Sequence, residues 1–572
     1  MKKILNIALA SMLVLGMAAC HEPEYVLPNE SASHGILSIR AIFPDGEYNG
    51  QILATLNNSD PEATYYDLEI PWYYPSTSDN TTLQYITNLR VQASIAPNYK
   101  LEPGLTLLDL TEENHFNLVK PDGTKMPIVI TGHRVKPKDC SLITFTISEL
   151  MVDGIIDEEK MEVLIPYKED LSAYSFSGQV SPHAKIGKVG TQAYVEGKKY
   201  DLNDGQTVTV IAGDDTTEGV YTLRQGDPEL IDMGINVNSF KLLFNEDPVS
   251  ILGMPAYDQT VYISLAGIGS NLIVCTGTGD APVLVNRFNG AKAGTMNVGS
   301  AVADVIAGDE AEHVLIANCA DAGETVNIYV SSDVKTAPVL LGSFVNPLDG
   351  SGGAGIGHKM KVIGNVENEA VVVFTAEGIP EVTTASRAVY VHIKNGAIDG
   401  EPQSVNFSSL GFAWGAAPVN VATVAAASLE PEHDGWFLDY YEGNADDDGY
   451  ILHHVSPELK DTKVSHLGDW ASNPNCLDVK RFNNSTFMVL MAVSHFPMWG
   501  TGPKIRFFDS SDPKAPSVLK DDAPTWFQTG ASGVAGGDIC ICPSSDGFRM
   551  FIYYYDHNSQ AVGAYVVDCI KK

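Results

Sequence analysis

One short phrase recurs in the rear half of this chain and limits its fold more than any other feature. It reads Asp280-Ala281-Pro282-Val283-Leu284, then Thr336-Ala337-Pro338-Val339-Leu340, then Lys514-Ala515-Pro516-Ser517-Val518-Leu519. The first interval is about 56 residues and the second about 178, close to three times as long. Two copies share a longer stem, Ile328-Tyr329-Val330-Ser331-Ser332-Asp333 and Phe507-Phe508-Asp509-Ser510-Ser511-Asp512. A fixed period of this kind marks a unit that cannot bury its apolar face alone and stacks on its neighbours. Between 236 and 572, a period of about 55–60 residues accommodates six units of four short strands. The spacing therefore predicts a β-propeller of about six blades, whose radial repetition protects the sheet edges. Asn271–Cys275, His313–Ala317, Ala370–Phe374 and Met550–Tyr554 supply the apolar strands such a ring needs.

A different repeat occupies the front. Ser94-Ile95-Ala96-Pro97-Asn98-Tyr99-Lys100-Leu101 matches Gln179-Val180-Ser181-Pro182-His183-Ala184-Lys185-Ile186 in pattern. Leu68–Trp72 parallels Val163–Tyr167, and Leu37–Ile42 parallels Leu142–Ile147. These runs alternate apolar and polar residues, the period of a half-buried strand, and turn signals such as Pro121-Asp122-Gly123 separate them. Two Ig-like β-sandwich modules are expected, at 34–136 and 139–228, followed by the propeller-like domain at 236–572. The fold class is all-β. Trp72-Tyr73-Tyr74 fits a core Trp with flanking strand aromatics, and it is also a candidate binding platform.

The first residues carry an address. Lys2-Lys3 precede an apolar run from Ile4 to Met17, and Met17-Ala18-Ala19-Cys20 matches the bacterial lipobox. Residues 1–19 are expected to be removed as a signal peptide, leaving Cys20 as the lipidated N-terminus. Residues 20–33 then form a polar tether. Glu22 and Glu24, just after the Cys, resemble the surface-export signal of Bacteroidetes lipoproteins. That implies lipid anchoring in the outer membrane and exposure at the cell surface.

Composition narrows the partners. The chain has 36 basic against 71 acidic side chains, a net charge of −35. Nucleic-acid binders need a cationic surface to release counterions, so that class is excluded. Polyanionic ligands are disfavoured for the same reason. Of eight Cys, seven remain after Cys20, an odd and scattered set in a chain too large to need disulfide staples. They are expected to be small buried apolar residues.

Together, the lipobox, the acidic followers, the tandem Ig-like modules and the blades reading Tyr-Val-Ser-Ser-Asp … Ala-Pro-Val-Leu resemble large Bacteroides surface lipoproteins. These form a family of unknown function with a suggested role in cell adhesion. The resemblance spans nearly the whole chain past the signal. Its motifs are structural, so it implies no catalytic residue.

No Gly-x-Ser-x-Gly elbow, HExxH or Walker loop is present. Gly353-Ala354-Gly355-Ile356-Gly357-His358 lacks a surrounding βαβ unit and reads as a blade connection. His453 and His454 would face opposite ways on a strand and cannot chelate one ion. Asn444, Asp446 and Asp448, with Gly449, follow the alternating oxygen ligands of a calcium loop, which makes calcium the candidate cofactor. The Glu that should close such a loop is Val455. Five of six Trp lie in the last third. Trp499 stands in a Pro- and Gly-containing loop, and Trp414, Trp436, Tyr440 and Tyr441 gather near the acidic loop. Aromatic faces on loops suit sugar faces or protein interfaces. The expected function is non-catalytic binding or adhesion at the cell surface, with a glycan as first ligand and a surface protein as the next. The alternatives are a propeller-based polysaccharide hydrolase or lyase, marked by an acidic pair or a His/Tyr set converging on one face, and a structural surface-assembly subunit.

Overall fold

The computed structural model describes residues 34–571, except 254–260, 351–354, 379–385, 415–421, 441–450, 467–471, 495–501 and 528–535. It is all-β. In the first module, one sheet runs Ile52–Asn57, Ile36–Ile42, Leu89–Ile95, Leu107–Leu108. The other runs Tyr65–Pro71, Lys125–Val135, Asn114–Val119, Lys100–Glu102. Alternate residues such as Ile39, Ala41, Leu68, Ile70, Leu118 and Ile130 point into one core between the sheets. The second module sets a three-stranded sheet against a six-stranded one.

The repeat read from sequence is a structural repeat. In each module the strand at the Leu68/Val163 position pairs in parallel with the module's last long strand. These pairs are Tyr65–Pro71 with Lys125–Val135, and Glu162–Ile165 with Glu218–Gln225. In each, the residue after the shared Pro takes left-handed backbone, Asn98 at φ 66° and His183 at φ 66°. Such a turn costs a non-glycine residue energy, and Asn and His are among the residue types that tolerate it best. Trp72-Tyr73-Tyr74 turns out to be a joint, not a platform. Trp72 is covered by Arg134, with the guanidinium 3.8 Å from the ring centroid. Tyr73 stacks on His183 of the second module at 3.8 Å and 9°. Tyr74 packs against Phe43.

The rear domain is a ring of six four-stranded antiparallel sheets. The innermost strands of blades 1 to 6 are Ser264–Ile268, Val305–Gly308, Met360–Asn365, Thr423–Ala426, Ser472–Phe482 and Gly537–Pro543. Blade 6 takes its outermost strand, Lys241–Glu246, from the start of the domain and pairs it with Ala561–Asp568. First and last strands thus close the ring. The apolar runs picked out above are all second strands, buried on both faces between blades. Of the three phrase copies, those at 336 and 514 open the outermost strands of blades 2 and 5, three blades apart. The copy at 280 opens the third strand of blade 1 and is not equivalent.

The axis of the ring is filled. Lys361 of blade 3 reaches Asp538 of blade 6, directly opposite, at 2.8 Å, and also donates to Ile539 O at 2.9 Å. The Asp538 carboxylate accepts from the Leu265 amide of blade 1 at 2.9 Å. Asp478 of blade 5 holds Lys480 at 2.9 Å and accepts from Ile541 N at 2.9 Å. Lys480 donates in turn to Val362 O. Glu310 of blade 2 pairs with Arg481 of blade 5 at 2.9 Å, across a second pair of opposite blades.

Candidate functional site

Trp414, Trp436 and Tyr440 are 1, 3 and 4 % exposed. Trp436 lies on the second strand of blade 4 and packs on Tyr390 of blade 3 at 4.7 Å. Trp414 Nε1 donates to Ala376 O at 2.8 Å, and Tyr440 packs on Phe412. These three wedge blade 4 against blade 3 and present no ring face to a ligand, contrary to their reading as binding aromatics. The reason is positional: Trp436 lies on a second strand covered on both sides, Tyr440 directly follows that strand, and Trp414, in the connection from blade 3 to blade 4, packs into the same core. Trp499, Tyr441, Cys20 and the candidate calcium ligands Asn444, Asp446 and Asp448 lie outside the described residues. Among the described residues, no three His, Cys, Asp or Glu side chains gather to hold a metal ion. His453 and His454 point opposite ways, to Asp461 and to Asp434 O. The seven described Cys are free thiols, and Cys540 and Cys542 face the same way with sulfurs 3.9 Å apart.

A large cavity opens where the second module meets the ring. Its volume is about 620 Å³, within the range of small-molecule sites. The module contributes Tyr167, Lys168, Glu169 and Tyr174 from the segments flanking Leu171. The ring contributes the hairpin turns at the far ends of the innermost strands of blades 1 and 6, with Phe288, Phe548 and Arg549. The apolar core runs on from the module (Phe145, Val163, Tyr221) into the ring (Phe288, Phe551), so the walls belong to one packed body.

The chemistry of the lining is balanced. Arg287 pairs with Glu312 at 2.7 Å, both nearly buried, and lies 4.1 Å from the Phe551 ring centroid. Arg549 pairs with Asp546 at 3.1 Å. The Tyr167 hydroxyl donates to Glu169 at 3.1 Å, and burial, then the Glu169 charge, pushes its phenol above the ordinary range. It therefore stays a donor. The cavity thus joins aromatic faces to ion pairs, and Nε and Nη2 of Arg287 and Nε of Arg549 have no hydrogen-bonding partner among the described residues.

A second group sits at the opposite end of the innermost strands, where blades 1, 2 and 3 converge. His358 Nε2 meets Glu377 Oε1 at 2.7 Å. The Tyr262 ring stacks on the imidazole at 4.1 Å and 19°. Cys319 Sγ lies 3.4 and 3.5 Å from the two ring nitrogens. Gly357 brings the His358 segment in at φ 111°, where a Cβ would lie 2.7 Å from Asn318 O and Cys319 Cα. Sequence reading noticed the glycines around His358. It had no signal for Tyr262, Cys319 or Glu377, which come from three blades, nor for a cavity made by docking two domains.

A family model described as a domain of unknown function, DUF8500, matches residues 242–568, more than half of the chain and the span of the ring. The chain belongs to the DUF8500 family. A second domain of unknown function, DUF5018, matches residues 15–132 of this DUF8500 member. No curated protein matches it. Among solved structures, it is similar to a DUF4623 family protein from Bacteroides eggerthii at 15 % identity, over 76 % of this chain and 99 % of that one, TM-score 0.37. Hydrazine synthase from Kuenenia stuttgartiensis aligns at 11 % identity over 75 % and 95 %, TM-score 0.29. Virginiamycin B lyase from Staphylococcus aureus aligns at 10 % identity over 57 % and 99 %, TM-score 0.27.

Proposed function

We propose that this protein is a lipid-anchored outer-membrane protein that binds neutral oligosaccharide at the cell surface, in the cavity between its second module and its ring. The observation that carries the reading is the lining of that cavity. Tyr167, Tyr174, Phe288 and Phe548 give apolar faces for the C–H face of a sugar ring. The lining charges are equal in number, Lys168, Arg287 and Arg549 against Glu169, Glu312 and Asp546. A charged ligand would be opposed by the lining charges of its own sign, whereas a polyol both donates and accepts hydrogen bonds without disturbing the balance. Cys20 and its acidic followers supply the address. The two modules act as a spacer that lifts the ring from the membrane.

The test is retention of the full chain on affinity gels of plant and host polysaccharides. Binding is expected to at least one neutral glycan. Tyr174→Ala and Arg549→Ala should each weaken it about tenfold, the ~1.4 kcal/mol expected of one stacking or hydrogen-bonding anchor. Trp436→Phe should leave it unchanged. Native chain that is retained by no polysaccharide, or retention untouched by both cavity variants, refutes the reading.

A further inference from the structure

The ring's other end holds a group that binding in the cavity does not use. His358 is fixed on three sides. Glu377 holds Nε2 at 2.7 Å, and Tyr262 covers one face. The near-equal distances from Cys319 Sγ to both nitrogens place the sulfur over the ring rather than along either N–H direction. The Nδ1 edge remains, with no other hydrogen-bonding partner among the described residues. The His358 and Glu377 side chains are 21 % and 24 % exposed, so the group opens to solvent. A histidine held by a carboxylate on one nitrogen, with only a weakly donating thiol near the other, is the arrangement of a general base.

The surrounding chemistry selects the reaction. Burial, then the charges of Asp304 and Glu377, pushes the Cys319 thiol far up, so it stays protonated and is no nucleophile. Glu377 is committed to the imidazole and Asp304 to the Cys319 amide, which it accepts at 2.7 Å. Glu377, bonded to the imidazole, is thereby withheld from the two-carboxyl chemistry of glycoside cleavage. The same two carboxylates oppose an anionic substrate. Water activated by one imidazole is enough for an ester, whose leaving group is far better than that of an amide or a glycoside.

We propose that His358 is the general base of an esterase site that removes acyl groups from neutral, hydroxyl-bearing substrates. His358 Nδ1 takes a proton as the water oxygen bonds to the acyl carbon. The carbon–oxygen bond to the substrate then breaks, and the imidazolium returns the proton to the departing oxygen. Ester and water thereby become carboxylic acid and alcohol. Glu377 steadies the imidazolium, and Tyr262 and Cys319 are positioning residues. This site is independent of the cavity, so either reading can fail alone.

The experiment follows acetate release by the full chain from 4-nitrophenyl acetate and from acetylated xylan. The native chain should hydrolyse one or both with a solvent deuterium isotope effect of about two or more, and His358→Gln should lose roughly a hundredfold. Glu377→Gln should lower kcat with KM nearly unchanged, and Glu377→Asp should restore part of it. Native chain no faster than His358→Gln on both substrates overturns the proposal. Should His358→Gln lose its fold by circular dichroism, an isotope effect near one on the native chain overturns it equally.

Discussion

Asp439→Asn is expected to melt several degrees above the native chain at pH 8 and no higher than it at pH 4. Asp439 ends the second strand of blade 4 and is wholly buried. Among the described residues, neither carboxyl oxygen is hydrogen-bonded. Burial pushes the carboxyl well above its ordinary range, and the nearby Tyr440 amide offsets little of that. The folded state therefore holds a proton that the unfolded chain releases above the usual carboxylate range. Folding then loses stability as pH rises from about 4 through that range and beyond, because the folded form binds more protons than the unfolded one. Asp556, pushed up by burial to about 6, adds a loss of the same sign between about pH 4 and 6. Asparagine is neutral in both states and escapes this term. Thermal melts of the two proteins between pH 4 and 8 decide the matter, and parallel curves would show that Asp439 is ionised in the fold. A buried, unpaired carboxyl retained against stability is a mark of function elsewhere in proteins, so the same variant should also be assayed for binding and for acetate release.

Lys361→Met should be the most damaging single change to the ring, at about 3–5 kcal/mol, seen as a fall in Tm of roughly 5–10 °C. Lys361 and Asp538 are 5 % and 3 % exposed. Burial pulls the Lys361 ammonium down, yet Asp538 and then Asp478 more than offset this and hold it above its ordinary value. Removing the lysine leaves the buried Asp538 charge only the Leu265 amide at 2.9 Å and the more distant Lys359 ammonium at 3.8 Å. The double variant Lys361→Met with Asp538→Asn removes both charges and keeps an acceptor for that amide. It should recover most of the loss. A double variant as unstable as the single would show that the ion pair itself, and not the orphaned charge, supports the ring.

The ring was legible because its outermost strands in blades 2 and 5 begin with the same phrase, and its second strands are unbroken apolar runs. The copy at 280 misleads because Ala-Pro before a strand is a general way to start one, Pro being tolerated at the first position of any strand. The paired modules were legible through Pro97-Asn98 and Pro182-His183, where a shared backbone turn constrains the residues. The binding aromatics were not. Trp436 and Tyr440 precede an acidic, glycine-containing stretch and so look like loop residues, but blade-to-blade packing buries them. The cavity residues were invisible for the opposite reason: Tyr174 and Arg549 are ordinary in their own segments and meet only because one domain docks on another. Proline, glycine and apolar period report on local backbone, whereas Tyr262, His358 and Glu377 are neighbours only after three blades have closed side by side.

The strand Lys241–Glu246, zipped to Ala561–Asp568, also sets the order of events during synthesis. Its hydrogen-bonding partner is the last of the ring's strands in chain order, so five complete blades must wait with an open flank until that strand arrives. A chain cut short near its end would carry almost every native segment and still present two raw strand edges to other molecules.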